Sequence, residues 1–314
     1  LGANPASLTQ TYHWGDSLVQ FDYGSQTVGA GRVLFDQTGG GFVGKWSKYD
    51  LVFDKSTANR HLLYIDGVLR ASNSSTTKIT GNAVALSVGR VFGTSPGPYA
   101  IRGEMEEFRL RTIWHHDSGW IRTEYDNQNS PSTFYTTGSL ETAPSVATWY
   151  SDTAYTRRRQ LTINKTRVTG SHDSFPALFA LQADSDLNTY ARADGSDILF
   201  TTADGQSTVP VELVNYKTGS IFAYVKVPHV DETANLTMYM YYGNPSSSIT
   251  DAAAKQNASA SLWTHGMDYL SVFHMQSPVV GTGRGSDVLP LKNSSQRYTP
   301  TGSLISSVQD RTVS

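Results

Sequence analysis

The sequence predicts an all-β protein made of β-sandwiches, and three observations carry that prediction. Gly, Ser, Thr, Tyr and Phe are abundant while long runs of Ala, Leu, Glu and Lys are missing, a composition that favours strands and turns. Short apolar stretches recur at close intervals with turn signals between them, as in a sandwich or jelly roll. Asp66-Gly67 sits between two apolar runs, a strong hairpin signal. At 314 residues the chain can hold two or three domains with cores of their own.

The elements follow in order. Val19, Phe21 and Tyr23 alternate with Gln20 and Asp22, so one face is apolar. Arg32 to Phe35 is short and β-prone, and the flexible Gly39-Gly40-Gly41 comes after it. Tyr49 to Phe53 alternates less cleanly. His61 to Ile65 and Val68-Leu69 form the arms of the Asp66-Gly67 hairpin. Ala83 to Val88 and Glu106 to Leu110 add two more strands. One helix interrupts: Asp117 or Ser118 caps it, Trp120, Ile121, Glu124 and Tyr125 follow at helical spacing, and Asn127 to Pro131 ends it. Thr136 to Ser139 reads as a polar connector.

A second unit begins near Trp149. Its strands are Gln160 to Ile163, Phe175 to Leu181, Ile198 to Phe200, Val209 to Val214, Ile221 to Val227 and Leu236 to Tyr242. A turn falls at Asp204-Gly205, and Gly243-Asn244-Pro245 closes the unit. Residues 249 to 260 are Ala-rich, a short helix or a spacer. Tyr269 to Met275 opens a third apolar segment, followed by a Gly/Ser/Thr-rich stretch. About 50 residues are too few for a stable core, so this tail needs something to pack against.

Charge and composition exclude several classes. Charged residues are 17% and hydrophobic residues 38%, too apolar for disorder. The net charge of -2 lacks the positive field of a nucleic-acid binder. There is no cysteine, hence no disulfide, thiolate catalysis or Cys-based zinc site. No apolar stretch approaches the roughly 20 residues of a membrane span. No signal peptide is visible at Leu1, and the chain opens as a processed or excised piece would.

Three front stretches carry a family resemblance: Leu62 to Val68, Leu86 to Arg90 and Gly103 to Leu110. In order and spacing they resemble the later strands of LamG-like, concanavalin-type jelly rolls. The run Trp120 to Tyr125, Asn127 to Pro131 and Phe134-Tyr135 is similar to the closing segment of copies in large microbial surface proteins. Residues 149 to 245 resemble a domain-of-unknown-function family, number 2341, that often sits beside such domains. The carrying residues are Arg157 to Ile163, Phe175-Pro176, Ala193 to Phe200, Tyr224 to Pro228 and Met238 to Pro245. That family brings no known chemistry. Leu262-Trp263 with Tyr269 to Met275 resembles the first strand of the LamG-like group.

These resemblances imply a LamG-like jelly roll, a second smaller β-sandwich and a partial LamG-like segment at the carboxyl end. Residues 1–142 are the later part of a jelly roll, 143–248 the second sandwich, and 249–314 the early part of a jelly roll. The tail is expected to complete residues 1–142 of a neighbouring copy by strand addition, at a joint of Tyr269, Leu270, Val272 and Phe273. A head-to-tail contact that does not close generates a filament. One longer tandem chain, or a tail folding back onto its own front, satisfies the same pattern.

Candidate chemistry is sparse. Glu104 and Glu106 share a strand face and Glu107 points the other way, but the next position on the shared face is Phe108, so the carboxylates of a glycosidase are missing. No catalytic residue is expected, and the chain is not read as an enzyme. Asp184, Asp186 and Asn188 have the spacing of an early calcium loop, yet Thr189 and Gly195 occupy the positions where an EF-hand needs Gly and Glu. No cofactor is assigned; calcium is compatible with the supply of oxygen ligands, and no ligand set follows from a motif. His115 and His116 have no partner at metal spacing. Arg157, Arg158 and Arg159 alternate faces and read as a solvated strand edge. Tyr12, Trp14 and Trp46 are candidates for stacking on sugars. Sequons stand at Asn73, Asn164, Asn235, Asn257 and Asn293.

The expectation is therefore an extracellular or cell-surface structural protein, a repeating unit whose partners are copies of itself, with no nucleic acid and no membrane span. The alternative is a lectin-like adhesin that binds surface glycans, with or without calcium.

Overall fold

A computed structural model describes residues 9–14, 18–23, 32–36, 45–54, 60–74, 106–111, 117–142, 149–150, 155–246, 261–263, 269–274 and 289–290. The fold is all-β: sixteen strands in antiparallel sheets, with few helices among the described residues. The chain divides into two compact units, Leu1–Glu104 with Trp114–Tyr125, and Met105–Ile113 with Asp126–Ser314.

The first unit holds two three-stranded sheets. One contains β1 (Thr9–Trp14), β2 (Leu18–Tyr23) and β3 (Arg32–Asp36); the other contains β4 (Tyr49–Asp54), β5 (Arg60–Ile65) and β6 (Val68–Asn73). Asp66 and Gly67 both take positive φ, 55° and 71°, as the turn between β5 and β6 requires. The Asp66 carboxylate accepts the Lys48 backbone N–H at 2.9 Å, which anchors the hairpin end. Strand alternation splits β5 between two apolar clusters. Leu63 and Ile65 pack with Val33, and Leu62 and Tyr64 pack with Ile121 of α1 (Ser118–Asn129). Asp117 caps α1 by accepting the Trp120 N–H at 2.9 Å. The expected strand at Ala83 to Val88 lies outside the described residues.

The second unit is built on two facing sheets. One has the order β10-β13-β12, from β10 (Ser171–Leu181), β12 (Val211–Lys217) and β13 (Ser220–Asp231). The other has the order β11-β14-β9-β8, from β8 (Tyr135–Thr142), β9 (Arg157–Ile163), β11 (Leu199–Thr201) and β14 (Leu236–Tyr242). Their inner faces meet through Tyr135, Phe179 and Phe200, with ring centroids 4.6 and 5.6 Å apart. Tyr135 fixes the spacing: its hydroxyl donates to Ala180 O at 2.7 Å and accepts from Ala180 N. Pro176 is tolerated because β10 is an edge strand. The short helices α2 (Pro131–Phe134) and α3 (Ser185–Tyr190) close the connections.

Two stretches differ from their sequence reading. Thr136 to Ser139 is not a connector but the body of β8, paired with β9. Its side chains are mostly exposed, so no alternation marks it, and a register shift between Thr137 and Leu140 breaks the period further. The arginines Arg157, Arg158 and Arg159 lie on β9, which is flanked by β14 and β8 and is not an edge. A third sheet of this unit has the order β16-β15-β7, from β7 (Glu107–Arg111), β15 (Tyr269–His274) and β16 (Leu289–Pro290).

Candidate functional site

The β7–β15 pairing brings together residues about 160 positions apart in the sequence. The two strands run antiparallel, with Tyr269 opposite Arg111, Val272 opposite Arg109 and His274 opposite Glu107. A register shift between Tyr269 and Ser271 puts Tyr269, an odd number of residues away, on the same face as Val272 and His274. That face is the buried one: Tyr269 and Val272 are each 3% exposed. Residues 261–263 are helical and bury Leu262 and Trp263 beside it.

A polar and aromatic network is built there around His274. Its Nδ1 lies 3.1 Å from Glu107 Oε2 and its Nε2 3.2 Å from Glu212 Oε2. The imidazole stacks on the Tyr224 ring at 5.5 Å and 15°. Tyr224 donates its hydroxyl to Glu107 at 2.8 Å, and Trp263 donates its indole N–H to Glu212 at 2.6 Å. Arg109 pairs with Glu107 and lies 4.8 and 4.9 Å from the Tyr224 and Trp263 ring centroids. Arg111 covers the Tyr269 ring at 3.5 Å. The Lys226 ammonium donates to Ser261 O at 3.3 Å. Strands β7, β12, β13 and β15 and the 261–263 turn thus meet in one cluster.

The electrostatics follow from these contacts. Burial works against the charge of His274, but the hydrogen bonds to Glu107 and Glu212 outweigh it and push the imidazole up to about 9. Burial would raise Glu107, yet Arg109 and His274 overcome it and hold the carboxyl at about 2. Such a network suits clamping one strand onto a sheet: the Glu107 and Glu212 carboxylates each meet donors on the docked segment or the sheet.

Of the residues expected at the joint, Tyr269 and Val272 are buried in it. Leu270 and Phe273 lie on β15, with Phe273 in register with Phe108; their side chains lie outside the described residues. The sequence gives no joint role to His274, Trp263, Glu107, Arg109, Glu212 or Tyr224. The alternation Val272, His274 was readable. Glu212 and Tyr224 were not, because only the fold brings β12 and β13 to this strand.

Elsewhere in the second unit, motif residues prove structural. Asp197 is fully buried and accepts the backbone N–H of Arg192 at 2.9 Å, Gly243 at 2.7 Å and Asn244 at 3.1 Å. It ties the Asp194 to Phe200 stretch to the end of β14. Asp184 caps α3 by accepting from Asp186 N and Leu187 N, and its other oxygen pairs with Arg159 at 2.7 Å. Asp186 accepts the Tyr242 hydroxyl at 2.6 Å. These contacts occupy the carboxylates that had calcium-loop spacing. Among the described residues no group of three or more His, Cys, Asp or Glu is placed to hold a metal ion. On the opposite face of β9, Arg158 pairs with Glu141 at 2.7 Å and lies 4.3 Å from the Tyr239 ring and 4.8 Å from Trp149.

Trp46 is 46% exposed. The side chains of Tyr12 and Trp14, and residues Glu104, His115 and His116, lie outside the described residues. The amide groups of three sequon asparagines are engaged: Asn73 with Arg32 O, Asn164 with Thr166 N and Asn235 with Lys165 N. Among the described residues no helix is long and apolar enough to cross a membrane.

Residues 194–260 match a family model described as a domain of unknown function, DUF2341. The match covers β11 to β14, with Asp197 and the Gly243-Asn244 turn inside it. No curated protein and no solved structure matches the chain.

Proposed function

We propose that the chain is a structural protein of the cell exterior, the repeating unit of a surface filament or stalk joined head to tail by β-strand complementation. The observation that supports this reading best is the pairing of Tyr269–His274 with Glu107–Arg111, two strands separated by the whole second sandwich. A strand held at a site so remote in sequence is what domain exchange requires, since a neighbouring copy can supply the same contacts. Within one chain the strand completes its own sheet; in the assembly each copy gives its strand to the next. The LamG-like resemblance on both sides of the joint supports the same reading, with β7 as a later strand and β15 as an early one. The match of residues 194–260 to a family without known chemistry is consistent with a module that separates the joints.

The test is electron microscopy of the native material together with intact mass after denaturation. Filaments that dissolve into single chains support exchange between subunits. One very large chain makes the joint an ordinary domain interior of a tandem protein. Monomers at every concentration would refute the filament. The second reading, a lectin-like adhesin, draws on the exposed ring of Trp46. Glycan-array binding that disappears with a chelator would favour it over the filament.

A further inference from the structure

The strand-complementation reading leaves open what makes the site accept this strand, and the His274 network supplies a chemical answer. We infer that Glu107 and Glu212 form a socket for a doubly protonated imidazole, so that docking of the strand selects a histidine in this register and binds a proton. The inference rests on the proposed joint and concerns its specificity. Both ring nitrogens of His274 face carboxylate oxygens, at 3.1 and 3.2 Å. A neutral imidazole has one N–H and one lone pair, so in that form one nitrogen would point a lone pair at a carboxylate. The Glu107 oxygen already accepts from Tyr224, and the Glu212 oxygen already accepts from Trp263. Two N–H donors on the ring satisfy both oxygens; a neutral ring leaves one without its bond.

The charges around the ring agree. On β7, Arg109 pairs with Glu107, while Arg111 lies over Tyr269. On β13, Lys226 is directed to Ser261 O, and Tyr224 lies flat against the ring. On β12, Glu212 faces the imidazole and the Trp263 indole. The side chains of His274, Glu107 and Glu212 are only 11%, 17% and 16% exposed, so water screens them poorly. Removing the tail, with β15 and the 261–263 turn, takes away His274 and Trp263, both donors to Glu212. A strand with Gln or Leu in place of His274 would leave a carboxylate short of a donor. The socket thus discriminates by chemistry, where backbone pairing alone does not.

The linkage has a definite sign. The imidazole is raised from 6.5 to about 9 in the docked strand. Its contribution is complete below 6.5 and is lost as the pH rises through about 9. Strand docking should weaken on the order of a hundredfold across that interval.

The experiment uses the full chain with labelled histidine, its ring nitrogens followed by NMR against pH and identified through His274→Gln. A doubly protonated ring at pH 7.5, titrating near 9 and falling in Glu212→Gln, supports the socket. A singly protonated ring at pH 7.5, or a midpoint at the ordinary value of 6.5, overturns it. Hydrogen exchange of residues 269–274 provides a second reading that does not depend on one variant folding. Protection should fall between about pH 6.5 and 9 in the native chain, and this alkaline loss should disappear in His274→Lys, which keeps its charge. The same alkaline loss in both chains would overturn the inference. Monomers at all concentrations with a charged His274 would remove the exchange reading and leave the socket standing on the chain's own strand.

Discussion

Val272→Asp tests the joint most directly. The Val272 side chain is 3% exposed and stands opposite Arg109 on the buried face of β15. Removing a fully buried valine from its site forfeits about 1.5–3 kcal/mol. The aspartate adds a third carboxylate beside Glu107 and Glu212, in a cluster whose Arg109 already pairs with Glu107. An incompletely compensated buried charge costs a further ~3 kcal/mol. Together they predict a loss of roughly 4–6 kcal/mol in strand docking, or at least a thousandfold. The sandwich formed by β8 to β14 has its own core around Phe175, Phe179, Phe200 and Tyr135, so it should persist. Hydrogen-exchange mass spectrometry on residues 269–274 and 107–111 reads docking, urea unfolding reads the sandwich, and light scattering reads assembly. Val272→Ala is the graded control and should cost about 1–2 kcal/mol. Unchanged protection of 269–274 in Val272→Asp, or normal assembly of that variant, would refute the joint. Collapse of the whole second sandwich would refute the claim that the strand is an addition to it.

Asp197→Ala removes the acceptor of three backbone N–H groups, two of them in buried bonds, and should destabilise the second unit by about 3 kcal/mol, measured as a shifted urea midpoint. Gly219 takes φ +78°, and a Cβ there would stand 2.2 Å from Asp184 O, so Gly219→Ala should cost ~2 kcal/mol or more and lower the thermal midpoint. The acid limb of strand docking belongs to Glu107, whose folded value is depressed from 4.5 to about 2. Its contribution is present above 4.5 and lost as the pH falls through 2, so protection of 269–274 should decline between those values and do so less in Glu107→Gln.

The strands were legible where burial imposes a period. His61 to Ile65 with Asp66-Gly67, and Leu236 to Tyr242, stand in the structure as their sequences read, because one apolar face and one turn type leave few alternatives. Strand β8 was not legible. Its Thr, Gly and Ser residues face solvent, and the partner backbone of β9 alone holds them in a sheet. The arginines of β9 were misjudged for a related reason: a charge reads as exposed until its acceptors are known, and Asp184, Asp186 and Glu141 lie on other elements.

By itself the sequence determined the all-β class, the hairpin at Asp66-Gly67, a helix start at Asp117 or Ser118 and an apolar tail segment from Tyr269 to Met275. All of these depend on near neighbours, through pattern, turn geometry or capping. The tertiary structure alone decided what the tail strand meets and which of its residues matter. Glu107, Glu212, Tyr224 and His274 lie far apart along the chain, and each reads as an ordinary surface or core residue in its own stretch. Their shared chemistry arises only when four strands and a helical turn converge, because donor–acceptor matching is a property of atoms about 3 Å apart in space and leaves no period in the sequence.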